Sequence, residues 1–257
     1  MTSPIEILQE KCRTLRLAET AKELPLLLRT AESKNWTYHE FIHELLTYEM
    51  NCREKKNIDR FMKWADFPYQ KTLEEYRLDE QNAIGDRQYK LLKELTWIDE
   101  MFTLILMGPP GTGKTHLSVG LGTLAIENGY QVGFVSMGEL LYILKSREYT
   151  SKSRTRYKRI STSDLIIIDD VMYMTVDEKE ANLFFQFIYE LYDKAAFILT
   201  SNKGPNEWGK FLGDTSLTTA ILDRLLHRSE VITFGEDEDS LRMKYRKTIF
   251  DEVSAQS

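Results

Sequence analysis

Phe102-Thr103-Leu104-Ile105-Leu106-Met107, followed at once by Gly108-Pro109-Pro110-Gly111-Thr112-Gly113-Lys114-Thr115, is the stretch on which the reading of this chain turns. The first six residues form a short, β-prone apolar run that ends in glycine, which predicts a buried strand feeding a tight turn. The residues after Thr115 read as a helix. Strand, glycine-rich loop and helix are the setting a phosphate-binding loop requires. Gly108, Gly111 and Gly113 permit backbone conformations that a Cβ resists, so successive N–H groups can point inward around phosphate oxygens at a helix N-terminus. Gly108 to Thr115, with Pro109, Pro110 and Thr112 included, is the expected nucleotide cradle. Within it Lys114 supplies a point charge for the β- and γ-phosphates of ATP, and Thr115 offers a hydroxyl to Mg2+.

Working outward, 257 residues with 42% apolar content suffice for one sizeable core and a small satellite domain. No apolar run approaches ~18 residues, and Met1-Thr2-Ser3-Pro4-Ile5-Glu6 lacks the features of a signal peptide, so a cytoplasmic protein without membrane segments is expected. Cys12 and Cys52 lie far apart in no CxxC pattern and read as reduced thiols on helix faces. The net charge of −6 excludes a uniformly basic nucleic-acid binder. Its distribution is less even: residues 145–159 hold seven Lys/Arg and one Glu. Local patches of this kind can bind phosphate backbones in an acidic chain.

Residues 1–65 read as a small all-helical domain. Pro4 sits at a first helical position behind Ser3, and Ile5, Leu8, Cys12 and Leu15 recur at helical spacing. A second helix is expected around Thr20 to Thr30. A third opens at Thr37, with Glu40 three residues on as a capping box, and runs into a basic tail with Arg53, Lys55, Lys56, Arg60 and Lys63. His39-Glu40-Phe41-Ile42-His43 also matches H-E-x-x-H, the zinc-protease pattern. The capping role of Glu40, the position on a first helical turn and the shortage of further histidine ligands favour solvent-facing helix residues instead. Residues 66–100 read as a polar linker that becomes a helical entry to the core.

From residue 101 onward strand and helix alternate, which implies an α/β fold with a parallel sheet covered on both faces. The expected strands are Phe102 to Met107, Gln131 to Val135, Asp164 to Asp169, Ala196 to Thr200 and Val231 to Phe234. The second is followed by a helix through Leu140, Leu141 and Leu144 that continues into the basic stretch. Leu165-Ile166-Ile167-Ile168-Asp169-Asp170 is an apolar strand ending in two acids, which emerge at the sheet edge where ligands bind. Asp169 is the natural Mg2+ partner, and Asp170 the group to orient or deprotonate an attacking water. Asn202, closing Thr200-Ser201-Asn202, can hydrogen-bond that water or the γ-phosphate. The run from Ala220 to Arg228 (AILDRLLHR) places arginines on an amphipathic helix. An arginine supplied by a neighbouring subunit stabilises transition-state charge and requires an oligomer.

These elements in series resemble the IstB family, AAA+ ATPase helpers of insertion-sequence transposition related to the DnaC helicase loaders. The resemblance is carried by GPPGTGKTHL, the aspartate-ended strand, TSN followed by Glu207-Trp208-Gly209, then Leu212-Gly213-Asp214 and AILDRLLHR. It also rests on Tyr38, Glu40 and Phe41, Phe67-Pro68 and Lys71-Thr72-Leu73-Glu74. It covers roughly Ile5 to Arg242. It implies an AAA+ P-loop NTPase with a five-stranded parallel sheet of order 5-1-4-3-2 in residues 101–257, behind the small all-helical N-terminal domain. It implies Lys114 and Thr115 on ATP and Mg2+, Asp169 and Asp170 as metal-binding and catalytic acids, Asn202 as sensor and Arg224 as the finger reaching into a neighbour. The implied partners are double-stranded DNA, the element's transposase and further copies of the chain, which would form a homo-oligomer.

Two positions depart from the pattern. Many AAA+ proteins have Glu where Asp170 stands, and one methylene less moves the carboxylate by ~1.5 Å, enough to slow hydrolysis. The family's Gly-Glu-Ser-Tyr-Arg reads here Gly-Glu-Asp-Glu-Asp-Ser-Leu-Arg, ending at Arg242, the position of a second sensor. The candidate DNA contacts are Lys152, Arg154, Arg156 and Lys158 in the core and Arg53, Lys55 and Lys56 in the helical domain. A DnaC-like loader acting on single strands is the nearest alternative, since Tyr149 and Tyr157 flank the basic stretch. A nucleotide-gated scaffold with negligible hydrolysis is a second.

Overall fold

A computed structural model describes residues 3–76, 84–171, 176–204, 207–208 and 224–235. Leu212-Gly213-Asp214, the first part of AILDRLLHR and Arg242 lie outside the described residues. The chain divides into two compact units, Met1–Arg60 and Phe61–Ser257. No helix among the described residues is long and apolar enough to cross a membrane.

The first unit is helical. Helix α1 (Pro4–Thr14) begins with a closed capping box, in which the Ser3 N–H donates to Glu6 (2.7 Å) and the Glu6 N–H to the Ser3 hydroxyl (3.2 Å). Helix α2 (Ala18–Lys34) has Leu17 at its N-cap, which offers no side-chain acceptor. Glu49 of α3 (Tyr38–Ala65) supplies one instead, accepting from the Thr20 N–H at 2.8 Å and the Thr20 hydroxyl at 2.9 Å. Burial pushes the Glu49 carboxyl upward, and the bonds from Thr20 and Arg53 more than reverse this, holding it below the usual carboxylate range. The α3 capping box closes as expected, with Thr37 donating to Glu40 through N–H (2.7 Å) and hydroxyl (2.9 Å). His39 and His43 are exposed, and among the described residues no group of three or more acidic, histidine or cysteine side chains is placed to hold a metal. Glu40 caps the helix start.

The second unit carries a five-stranded sheet of β1 (Thr103–Met107), β2 (Val132–Ser136), β3 (Leu165–Asp169), β4 (Ala196–Ser201) and β5 (Ser229–Thr233). Its order is β2-β3-β4-β1-β5, the expected order read from the other edge, and every pairing is parallel. Leu165 to Ile168 and Ala196 to Leu199 are wholly buried, because a strand covered on both faces has no polar side to present. The register pairs Met107 with Ser201 and Ile168 with Leu199, so the ends of β1, β3 and β4 open on one edge. Helix α6 (Lys114–Glu127) lies against the sheet and is apolar over most of its circumference.

Two expectations change. The helix after β2 does not run on into the basic stretch: α7 (Met137–Ser146) stops, and α8 (Ser151–Ser161) starts afresh. Thr150 caps the new helix by accepting the Ser153 N–H at 3.2 Å, and the Tyr149 and Thr150 N–H groups close on the Ser146 carbonyl. The fifth strand also begins two residues before Val231, since Ser229 and Glu230 pair with Thr103 and Leu104. Residues 66–76 pack closely on α6. A Cβ on Gly120 would stand 2.7 Å from the Leu73 side chain, and Phe67 makes an edge contact with Phe134 at 6.0 Å. Helices α4 (Asp86–Glu94) and α5 (Thr96–Asp99) follow, hinged at Leu95, and α9 (Glu178–Leu191) covers the sheet with Phe184, Phe187 and Ile188.

Candidate nucleotide site

The site forms because three strand ends share an edge. From β1 the chain turns at Gly108, whose φ of +145° and 2.2 Å approach of an added Cβ to the Phe234 carbonyl leave room only for glycine. Gly111 and Gly113 also hold positive φ, and Gly113 stands at the N-cap of α6. Lys114 is 6% exposed and donates to the loop's own carbonyls at Gly108 (2.7 Å) and Pro109 (2.8 Å). Burial holds its ammonium below the usual lysine range, while Asp170 and Asp169 pull the other way. Thr112 donates to the Pro109 carbonyl at 2.9 Å and braces the turn.

Thr115 and Asp169 meet across 54 residues of sequence, with the Thr115 hydroxyl 3.0 and 3.2 Å from the two carboxylate oxygens. Burial raises the Asp169 carboxyl above its ordinary range. Hydrogen bonds from Thr200 and Thr115 and the charge of Lys114 oppose that rise, and Asp170 adds to it. Asp170 sits at φ +56°, a left-handed conformation that aspartate tolerates and β-branched residues resist. Its N–H donates to the Thr200 hydroxyl at 2.9 Å. Asn202 follows β4, and its Oδ1 is buried with no hydrogen-bond partner among the described residues. A buried amide oxygen in that state favours a donor brought by a ligand.

The structure therefore brings together the loop, Thr115, Asp169, Asp170 and Asn202. Hydroxyl and carboxylate oxygens converging beside a buried ammonium suit a hard divalent cation and a polyphosphate. Arg224 is engaged elsewhere, its guanidinium over the rings of Tyr189 (4.6 Å) and Phe185 (5.7 Å) on α9. Thr200 is the site residue that sequence reasoning passed over. A hydroxyl one place before the end of an apolar strand was the available signal, but its meaning depends on which strand lies alongside.

The candidate DNA contacts divide. Lys152, Arg154 and Lys158 are exposed on α8. Arg156 is not: it donates to the Phe134 (2.6 Å) and Trp64 (3.0 Å) carbonyls and pairs with Asp66 and Glu139. In the helical unit Arg53 is tied to Glu49 and the Arg16 carbonyl and Lys56 to Glu19, while Lys55 is exposed.

Comparison with known proteins agrees with this geometry. The sequence model of the IstB-like ATP binding proteins matches residues 10–248. A Bacteroides fragilis protein named as the ATP-binding protein of an IS21-like insertion sequence is 35% identical over 243 residues, covering 95% of this chain and 92% of the relative. Its Pseudomonas aeruginosa counterpart from IS21 is 34% identical, covering 90% and 87%. Among solved structures, AMPPCP-bound DnaA from Aquifex aeolicus is 23% identical with a TM-score of 0.53, over 67% of this chain and 52% of that one, so this chain spans about half its length. DnaI, 17% identical with a TM-score of 0.52, is covered over 92% of its length and 63% of this chain. These last two likenesses show the fold alone.

Proposed function

The chain belongs to the IstB-like ATP-binding family, and on that premise we propose that it is a slow ATPase that assembles on duplex DNA for a partner transposase. The observation that carries the reading is the meeting of Thr115, Asp169 and Asp170 beside Lys114, with an Asn202 oxygen at the same sheet edge that has no partner among the described residues. Lys114, once its amine turns from its own loop carbonyls to phosphate, holds the β- and γ-phosphates together with the N–H groups of Gly108 to Thr115. Thr115 and Asp169 are the residues for Mg2+, which when bound spreads the charge developing on the phosphates. Asp170 orients the attacking water and Asn202 reports its presence. Arg224, on its aromatic shelf, is the group offered to a neighbouring copy.

Lys152, Arg154 and Lys158 on α8, with Lys55, are the phosphate contacts of this reading. Arg156, Arg53 and Lys56 hold structure through the pairs described above. Affinity for duplex should then fall linearly with the logarithm of salt and depend little on sequence. The deciding experiment measures particle mass by light scattering with duplex and ATP·Mg2+ against ADP·Mg2+, with Lys114→Ala alongside. A large species formed only with ATP, duplex and intact Lys114 is expected. A monomer in every condition, or ATP turnover equal to that of Lys114→Ala, would sink the reading. One observation favours a helicase-loader role: Tyr149 is 84% exposed beside the basic helix, where an unpaired base could stack. Preference for single strands, lost in Tyr149→Ala, would establish it.

A further inference from the structure

Thr200 is wholly buried and ties three consecutive residues at the end of the acidic strand. Its hydroxyl donates to Asp169 Oδ1 and accepts the Asp170 N–H at 2.9 Å, and its carbonyl accepts the Val171 N–H, also at 2.9 Å. The direction of the bonds is forced. A hydroxyl has one proton, and the Asp170 N–H can only donate, so that proton goes to the Asp169 carboxylate. Asp170 meanwhile stands at φ +56°, a conformation that aspartate tolerates but that is less favourable than the right-handed one, so a bond fixing its N–H helps to hold it. Asp169 Oδ1 takes both Thr200 and Thr115, the second at 3.0 Å. If the Thr115 hydroxyl turns to a cation, the hydroxyl on β4 is the one that still orients the carboxylate.

We propose that Thr200 is the positioning residue of the acid pair, one side chain setting both the direction of the Asp169 carboxylate and the left-handed backbone that aims Asp170. This rests on the reading of Asp169 and Asp170 as the Mg2+ and water-orienting acids. It also links the acids to the strand that Asn202 follows, two residues beyond Thr200.

The test compares Thr200→Val, which keeps the shape and removes the hydroxyl, with Thr200→Ser, which keeps the hydroxyl. In the full-length valine variant, single-amide hydrogen exchange at Asp170 should quicken by about tenfold or more, while the Val171 amide, bonded to the residue-200 carbonyl, stays protected. The Mg2+-dependent gain in AMPPCP affinity, read as the ratio of Kd in EDTA to Kd in Mg2+, should fall by about tenfold. The serine variant should keep both wild-type values. Unchanged exchange at Asp170, or faster exchange with the Mg2+ gain intact, overturns the assignment. Should wild type and Lys114→Ala bind AMPPCP alike, the nucleotide reading fails by itself. The Asp170 and Val171 amides then decide alone whether Thr200 sets the pair: a selective Asp170 response upholds it, and none overturns it.

Discussion

The helical unit and the sheet unit each bury one polar side chain that satisfies a backbone N–H far away in sequence, and the two networks end differently. Glu49 caps Thr20 across 29 residues, pairs with Arg53, and Arg53 closes on the Arg16 carbonyl. Every group in that chain of bonds has a partner. Thr200 holds the Asp170 N–H across 30 residues, but its bonds lead on to a carboxylate raised by burial, a lysine folded back on its own loop and, nearby, an Asn202 oxygen without a partner among the described residues. A saturated polar network fastens structure, and one left with unspent donors and acceptors is a site. The surfaces differ in the same sense. Large exposed apolar side chains in the helical unit are mostly aliphatic, among them Leu15, Ile42 and Met50, whereas in the sheet unit those described are all tyrosines, Tyr69, Tyr142, Tyr149 and Tyr189.

If this contrast is right, changes in the two networks should act on different observables. Lys114→Ala should lower ATP turnover by about a thousandfold without moving the thermal unfolding of the helical unit, measured by steady-state kinetics and calorimetry. Asp170→Asn keeps a residue that tolerates left-handed backbone and should cost about a hundredfold in turnover with nucleotide affinity nearly unchanged. A parallel loss of affinity would show that Asp170 holds nucleotide instead of orienting water. Glu49→Ala should destabilise the helical unit by about 2 kcal/mol, because it strands the Thr20 donors and Arg53, while turnover at saturating ATP stays at the wild-type value. Hydrogen exchange confined to α2 and α3 would report it.

Smaller effects sharpen the comparison. Replacing Lys152 and Lys158 together by alanine should reduce the salt slope of duplex binding by about two, whereas Arg156→Ala should lower stability before it alters that slope. The pH response should be smallest. The Glu49 carboxyl is held below its unfolded value, so its contribution is complete above about pH 4.3 and is lost as pH falls through the folded value. Acid unfolding followed in the helical unit should therefore flatten in Glu49→Gln, and an unaltered acid limb would remove Glu49 from the account.

Much of the sheet unit was legible along the chain. The phosphate loop, the aspartate-ended strand and the strand sequence are local patterns: a continuous apolar run followed by glycine or acid needs no knowledge of its neighbours. The break between α7 and α8 was less so, because helix-compatible residues continue through Arg147 to Thr150 and only the Thr150 cap marks the restart. The packing of Leu73 and Phe67 against the glycines of α6 was hidden for another reason. A glycine in a helix signals a close approach without naming what approaches. Arg156 looked like its basic neighbours and differs only in facing inward.

Spacing and residue type within a few positions were enough to read a glycine-rich loop of phosphate-cradle pattern at Gly108 to Thr115, two acids at the end of a buried strand, and helices ahead of the sheet. Which strand stands beside the acids depends on the assembled sheet. With β4 between β1 and β3, the Thr200 hydroxyl reaches Asp169 across 31 residues, and Glu49 reaches the uncapped start of α2. Contacts of that kind depend on strand order and helix pairing, which arise from the burial of whole faces and leave no mark on the residues at either end.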